Sequence, residues 1–320
     1  MRRIEDVILK DGRSLKEVLK LHKKWLEDKE GGKKADLSCE DLSDVDLSNL
    51  NLKYAILRGV NLSDANLRSA DLRGAKLEDA NLIGANLRSA DLSVANLIRV
   101  NLTNADLIGA NLTNADLIGA NLTNVNLICA NLTRAYLTGV NLINAYLTGV
   151  NLTNADLIGV NLTRANLREA DLTRANLREA NLTDVDLIGA NLIRANLIDA
   201  NLTGVKYDHT TSFFALQCQE KGSFIGYKKA DDKIVELLIT KDAKRSSATT
   251  RKCRCSKAKV LSITSLDGKE EYTKVASNHD SNFIYEVGKI VEVKDFDENR
   301  WKECAPGIHF FITRNEAVMY

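Results

Sequence analysis

The chain has one proline in 320 residues, 5% aromatics, two methionines and four histidines, so several architectures are excluded at once. A single Pro306 rules out a collagen-like or proline-rich spacer. No apolar run approaches the roughly 20 residues a membrane-spanning helix needs. The opening MRRIEDVILKDG lacks the apolar core of a secretory signal, so an intracellular, non-membrane protein is expected. Six scattered cysteines form no disulfide framework, as suits a reducing compartment. There is no G-x-S-x-G elbow, P-loop, H-E-x-x-H or G-x-G-x-x-G. No catalytic residue is therefore assigned and no cofactor is expected. The net charge of +1 argues against a chain wholly bound to nucleic acid or membrane, although it hides an asymmetry: +4 over residues 1–34, −6 over 35–205 and +3 over 206–320.

What is present is a leucine at every fifth residue from Leu37 to Leu202, 34 in succession. Ala or Val stands two residues before most of them and Asn or Asp one before. On a helix this spacing would scatter apolar side chains around the cylinder. On extended backbone Ala/Val and Leu share one side while Asn/Asp faces out, and resetting that phase every five residues demands a turn in each repeat. The chain must wind, so a period of this kind sets the fold before anything else does.

The pattern A-(D/N)-L-x-x resembles the pentapeptide-repeat family, whose fold is a right-handed, four-sided β-helix. That resemblance implies an all-β rod over residues 35–207, with four repeats to a coil. Its length would be roughly 41 Å at the strand spacing. Residues 1–34 are expected to cap it through a helix opened by an S-x-x-E box at Ser14 and Glu17, with Leu15, Val18, Leu19, His22, Trp25 and Leu26 along one face. The phrase HKKWLEDKEGGKKADL also resembles the leader that precedes such repeats in bacterial and phage proteins. Glu40 and Leu50 depart from the inward Ala, as an edge meeting its cap would. At the other end Tyr207 takes a leucine's place, and Asp208–Ala215 is expected to close the last coil.

Four repeats per coil would stack Ile98, Ile118, Ile158 and Ile198 on one face and Ile108, Ile128 and Ile188 on the opposite one. Tyr136 and Tyr146 add to these faces, and threonines line the other two. Exposed apolar ladders imply contact with a protein partner or a second copy. Relatives in the family mimic DNA to inhibit gyrase, but Arg68, Arg73, Arg88 and Arg99 interrupt the single-sign charge stripe that mimicry needs. The N-L-T triplets at Asn101, Asn111, Asn121 and Asn131 would be glycosylation acceptors in a secretory pathway, a further reason to expect an intracellular protein.

Residues 208–320 read as a small, mainly β domain, with strands at Phe224–Tyr227, Ile234–Ile239, Val260–Ile263, Phe283–Val293 and Gly307–Thr313 and a helical turn at Glu316–Tyr320. The segments KRSSATTRKC, IYEVGKIV and FDENRWKECAPGIHFFITRNEAVMY resemble an uncharacterised domain found with pentapeptide repeats in giant DNA viruses and phages. A viral origin is what this resemblance implies, in a host cytoplasm or a virion.

Within that domain, residues 241–259 are strongly basic. Lys244, Arg245, Arg251, Lys252 and Arg254 are candidate phosphate contacts, with nucleic acid as an allowed but not favoured partner. Cys253, Cys255, Cys304 and His309 are four conceivable zinc ligands, although C-x-C is a poor match to the usual knuckle spacing. Gly307–Phe311 with Ala317 and Tyr320 is similar to a strand of ADP-ribosyltransferases. His309 stands there in place of an aromatic, and no later strand supplies that family's glutamate. The expected function is a non-enzymatic scaffold whose rod is spacer and contact surface and whose C-terminal domain recognises a target. Phosphate binding through 241–259 and an enzyme centred on His309 are the alternatives.

Overall fold

The computed structural model describes residues 1–212, 214, 217–219, 221–302 and 304–320. The chain divides into two compact units, Met1–Ser212 and Phe213–Tyr320.

In the first unit every parallel pairing from Asp36↔Ile56 to Asp186↔Lys206 joins residues 20 apart, so a coil takes four pentapeptides. Each leucine of the five-residue period from Leu37 to Leu197 is at most 1% exposed. The repeat 101–105 shows why the sequence takes this form, because all five of its amides are accounted for. Asn101 N–H donates to the Ala80 carbonyl in the coil before (3.0 Å), while Leu102 and Asn104 donate to Asn121 and Thr123 in the coil after (2.8 and 3.0 Å). Ala105 donates to Leu102 across the turn (3.0 Å). The remaining amide, Thr103 N–H, donates to the Asn101 side-chain Oδ1 at 3.1 Å. An Asx oxygen is thus the fifth acceptor, which is why Asn or Asp precedes all but four of the leucines, those after Ile56, Lys76, Tyr136 and Tyr146.

The same oxygen accepts the Thr103 hydroxyl at 2.7 Å, and the pattern recurs at Thr113, Thr123, Thr133, Thr163 and Thr183. Asn adds a donor that Asp lacks: Asn81 Nδ2 reaches Asn61 Oδ1 one coil away at 3.1 Å, and Asn61 reaches Asp41 at 2.9 Å. The residue two after each leucine takes positive φ, as the third position of a type II turn requires. Glycine fits there without cost, whereas Val94 at φ +52° is held against its preference.

The expected helix, α1, spans Leu15–Leu26, and Ser14 Oγ accepts the Glu17 amide at 3.2 Å. Leu15, Val18 and His22 are its buried residues. His22 Nδ1 accepts the Ala35 amide at 3.1 Å and its ring stacks on Trp25, which meets Tyr54 edge-on. Arg2 pairs in parallel with Val45, and Glu40, the departure from inward Ala, accepts the Lys10 amide. At the far end the reading needs correction. Tyr207 is 52% exposed rather than inward, and the next pairing, Asn191↔Ser212, spans 21 residues. The extra residue lets Thr211 turn in and donate to the Leu187 carbonyl at 2.9 Å. Residues 213 and 215 of the expected closing segment lie outside the described residues.

The second unit holds β1 (Phe224–Ala230), β2 (Lys233–Ile239), β3 (Arg245–Ser247), β4 (Cys253–Cys255), β5 (Lys257–Ser265), β6 (Lys274–Ala276), β7 (Ile284–Glu286), β8 (Ile290–Glu292), β9 (Ile308–Phe310) and the short helix α2 (Arg314–Met319). An antiparallel sheet runs β1-β2-β5-β8, a second β3-β4-β9, and β6 pairs with β7. A bridge between Tyr227 and Phe311 brings β9's end beside β1. Gly226 makes room there, since a Cβ would lie 2.5 Å from the Phe310 ring. Phe283–Val293, expected as one strand, is two, because Gly288 at φ +86° turns the chain between them. The strands β3, β4 and β6 are too short and too polar for the sequence to announce.

Candidate ligand cavity

The basic stretch 241–259 is not an open loop, since it contains β3, β4 and the start of β5. Arg254 is 2% exposed. Its guanidinium donates to the carbonyls of Asp297 (3.0 Å), Pro306 (3.0 Å) and Asn299 (2.9 Å) and lies over the Phe296 ring. Arg245 donates to the carbonyls of Gln219, Gly222 and Thr240. These two arginines are internal ties that replace backbone partners the loops lack, and they offer a phosphate nothing. Lys244 pairs with Glu298, and Arg251 with Glu316 at 2.6 Å. Of the five phosphate candidates, Lys252 alone has neither a carboxylate nor a backbone-carbonyl partner among the described residues. Its Nζ lies 3.1 Å from the Tyr320 hydroxyl.

The four zinc candidates are not gathered either. Cys253 and Cys255 pair with Phe310 and Ile308, while Arg254 pairs with His309, so the two thiols face one side of the sheet and His309 the other. Both thiols are fully buried in the core and Cys304 is exposed. The adjoining Cys218 thiol, then burial, pushes Cys253 up, and burial pushes Cys255 up, so both stay protonated and make poor ligands. The C-x-C spacing is that of two side chains on one face of a strand.

His309 does open on a cavity. About 860 Å³ in volume, it is lined wholly by residues of the second unit. Its polar lining includes Lys228 and Lys229 of β1, Lys252 ahead of β4, His309 of β9 and Tyr320 after α2. Phe283, Tyr285, Val293 and Phe311 supply apolar wall, and Asp232 and Asp280 stand on the lining as well. Lys228 is the residue that sequence reasoning missed. Half-buried, it holds its Nζ 5.9 Å from the Tyr285 ring centre and makes no ion pair among the described residues. Burial, and next the charge of Lys252, lower its pKa to about 8. Nothing in the segment YKKADDK marks this lysine apart from its neighbour, because its setting is made by Lys252 and Tyr285, distant in sequence.

On the rod, Arg99 forms a two-pronged pair with Asp79 (2.7 Å twice), and Arg58 and Arg88 pair with Glu78 and Asp106 one coil away. Arg168 likewise pairs with Asp186 one coil away, and Arg178 with its neighbour Glu179. Of the seven ladder isoleucines Ile118 is the most open, at 42%, and the others are half-buried.

Residues 214–317 match a family of unknown function, DUF5758. Among solved structures the chain is similar to HetL, a pentapeptide repeat protein involved in heterocyst differentiation regulation in the cyanobacterium Nostoc sp. strain PCC 7120. The identity is 34% over 57% of this chain and 89% of that one, with a TM-score of 0.28. It is also similar to a pentapeptide repeat protein of the Arabidopsis thaliana thylakoid lumen, at 39% identity over 32% of this chain and 70% of that one, TM-score 0.31. A third likeness is to QnrB1, a plasmid-mediated fluoroquinolone resistance protein, at 18% identity over 55% of this chain and 91% of that one, TM-score 0.43. No curated protein matches the chain. The pentapeptide-repeat profile matches in overlapping blocks that together run from residue 33 to 206, more than half of the chain, and with coils closing every 20 residues around buried leucines this chain belongs to the pentapeptide-repeat family.

Proposed function

We propose that the chain is a non-enzymatic interaction protein in which a right-handed, four-sided β-helix is spacer and contact surface and the C-terminal unit is the recognition end. The observation that carries this reading is the division of polar groups. In the rod the backbone amides, Asx oxygens and threonine hydroxyls are spent on the coil itself, which leaves flat repetitive faces. Lysines with no carboxylate partner among the described residues converge instead, with aromatic groups, on the cavity of the second unit. The ladders Ile98/Ile118/Ile158/Ile198 and Ile108/Ile128/Ile188 would serve a protein partner or a second copy of the chain.

An intracellular setting, in a host cytoplasm or virion as the viral resemblance implies, fits the same reading. Asn111 Nδ2 donates to Asp91 Oδ1 at 3.1 Å, and a glycan on that nitrogen would break the contact between coils. Replacing Ile98, Ile118 and Ile158 together by Thr should change the sedimentation of the full chain if the ladder is a self-contact. Unchanged sedimentation, with no change in capture of a protein partner, removes the rod-contact reading.

A further inference from the structure

We propose that the cavity of the C-terminal unit binds a small organic anion, a carboxylate, phosphate or sulfonate carried on a flat apolar body, between the ammonium groups of Lys228 and Lys252. The inference rests on the reading of this unit as the recognition end and names its ligand class.

Other cations of the unit have the carboxylate partner that Lys228, Lys252 and their lining neighbour Lys229 lack among the described residues. Lys233 pairs with Asp231, Lys244 with Glu298, Arg251 with Glu316, Lys257 with Asp242 and Lys302 with Asp297. Lys228 and Lys252 face the cavity, close enough for one charge to act on the other, and neither has a carboxylate within ion-pair distance among the described residues. Asp232 and Asp280 lie on the lining but do not reach them, and Asp280 accepts the Asn282 amide. Two cations lining one cavity with no carboxylate partner among the described residues repel one another, and the half-buried one loses hydration as well. An anion seated between them supplies both missing pairs.

The rest of the lining selects the body of the ligand. Phe283, Tyr285, Val293 and Phe311 offer apolar and aromatic surface, and a volume near 860 Å³ suits a small organic molecule rather than a bare inorganic ion. Lys252 is steadied by the Tyr320 hydroxyl at 3.1 Å and by its position over that ring, so one of the two ammonium groups is held before a ligand arrives.

The test uses the full chain at pH 7 and two fluorescent probes of nearly the same shape, anionic 1-anilinonaphthalene-8-sulfonate and neutral N-phenyl-1-naphthylamine. The sulfonate is expected to bind at least tenfold more tightly. Lys228→Met and Lys252→Met should each erase most of that preference, while Lys228→Arg and Lys252→Arg retain it. Circular dichroism melts identify any variant that fails to fold, and the arginine pair then decides. Equal affinity of the two probes for the wild type overturns the proposal, as does a preference that survives both methionine variants. Either result leaves the sedimentation of the wild type and its isoleucine variant untouched, so the anion site can fail while the interaction reading stands.

Discussion

Lys228→Met should stabilise the C-terminal unit at neutral pH, against the usual expectation for replacing a charged side chain. Burial and the charge of Lys252 lower the folded-state pKa of Lys228 from 10.5 to about 8. Above pH 10.5 the lysine is neutral in both states and costs nothing. As pH falls toward 8 the unfolded chain takes up the proton first, so the fold loses stability across this window, and below pH 8 the loss is complete. At about 1.4 kcal/mol per pKa unit, tempered by partial exposure, the penalty at pH 7 is roughly 2–3 kcal/mol. The cation–π contact with Tyr285 at 5.9 Å offsets about 0.5 kcal/mol. Methionine, similar in length and apolar, should therefore gain about 2 kcal/mol at pH 7, a rise of several degrees in the melting temperature of a unit this size. Trp301 lies in this unit and Trp25 in the other, so Trp301 fluorescence in a Trp25→Phe background follows the relevant transition. A loss of stability at pH 7, or a gain that does not shrink between pH 8 and 10.5, would refute the electrostatic argument.

Leu122→Ala should cost about 3–5 kcal/mol in urea unfolding followed by far-ultraviolet circular dichroism, because the leucine is fully buried and hydrogen bonds to the coils on both sides keep the backbone from collapsing. Ile118→Ala, on the outside, should cost under about 1 kcal/mol, and equal losses would overturn the inward assignment of the ladder. Val94→Gly should stabilise the rod by about 1 kcal/mol in the same assay, since it relieves a β-branched residue at φ +52°; a loss would show that Val94 is not strained. Burial lowers the pKa of His22 below its ordinary 6.5, so the stability of the first unit should fall as pH drops below that value, and His22→Phe should flatten the dependence.

The rod was legible because its information is local. A leucine, a small inward residue and an Asx recur at fixed offsets, and the pairing of each residue with the one 20 further on follows from repetition alone. What the sequence did not disclose was the work of particular atoms. Asn111 looks like a turn former, yet its Oδ1 takes the amide and hydroxyl of Thr113 while its Nδ2 reaches Asp91. The threonine faces were thus explained by repeat chemistry rather than by any ligand. The end of the period at Tyr207 was legible, whereas the insertion that buries Thr211 instead was not, since neither residue carries a repeat signal of its own.

Composition misdirected the reading of the second unit for a related physical reason. Counting cations along 241–259 weighs Arg254 and Lys252 alike, but one is buried under three carbonyls and the other looks into a cavity beside Lys228. A guanidinium whose N–H groups are committed to carbonyls has few donors left to offer a ligand, so the quantity that matters is the uncommitted cation, which only three-dimensional neighbours define. On β4 the alternation Cys253-Arg254-Cys255 separates the thiols from the arginine. The alternation cannot show that Phe296, Asp297, Asn299 and Pro306 close over the arginine. Lys228, Lys252, Tyr285, His309 and Tyr320 come from five separate segments, so no window of sequence contains the cavity. The roughly 2 kcal/mol that Lys228 is expected to cost the fold is what the proposed anion would offset on binding.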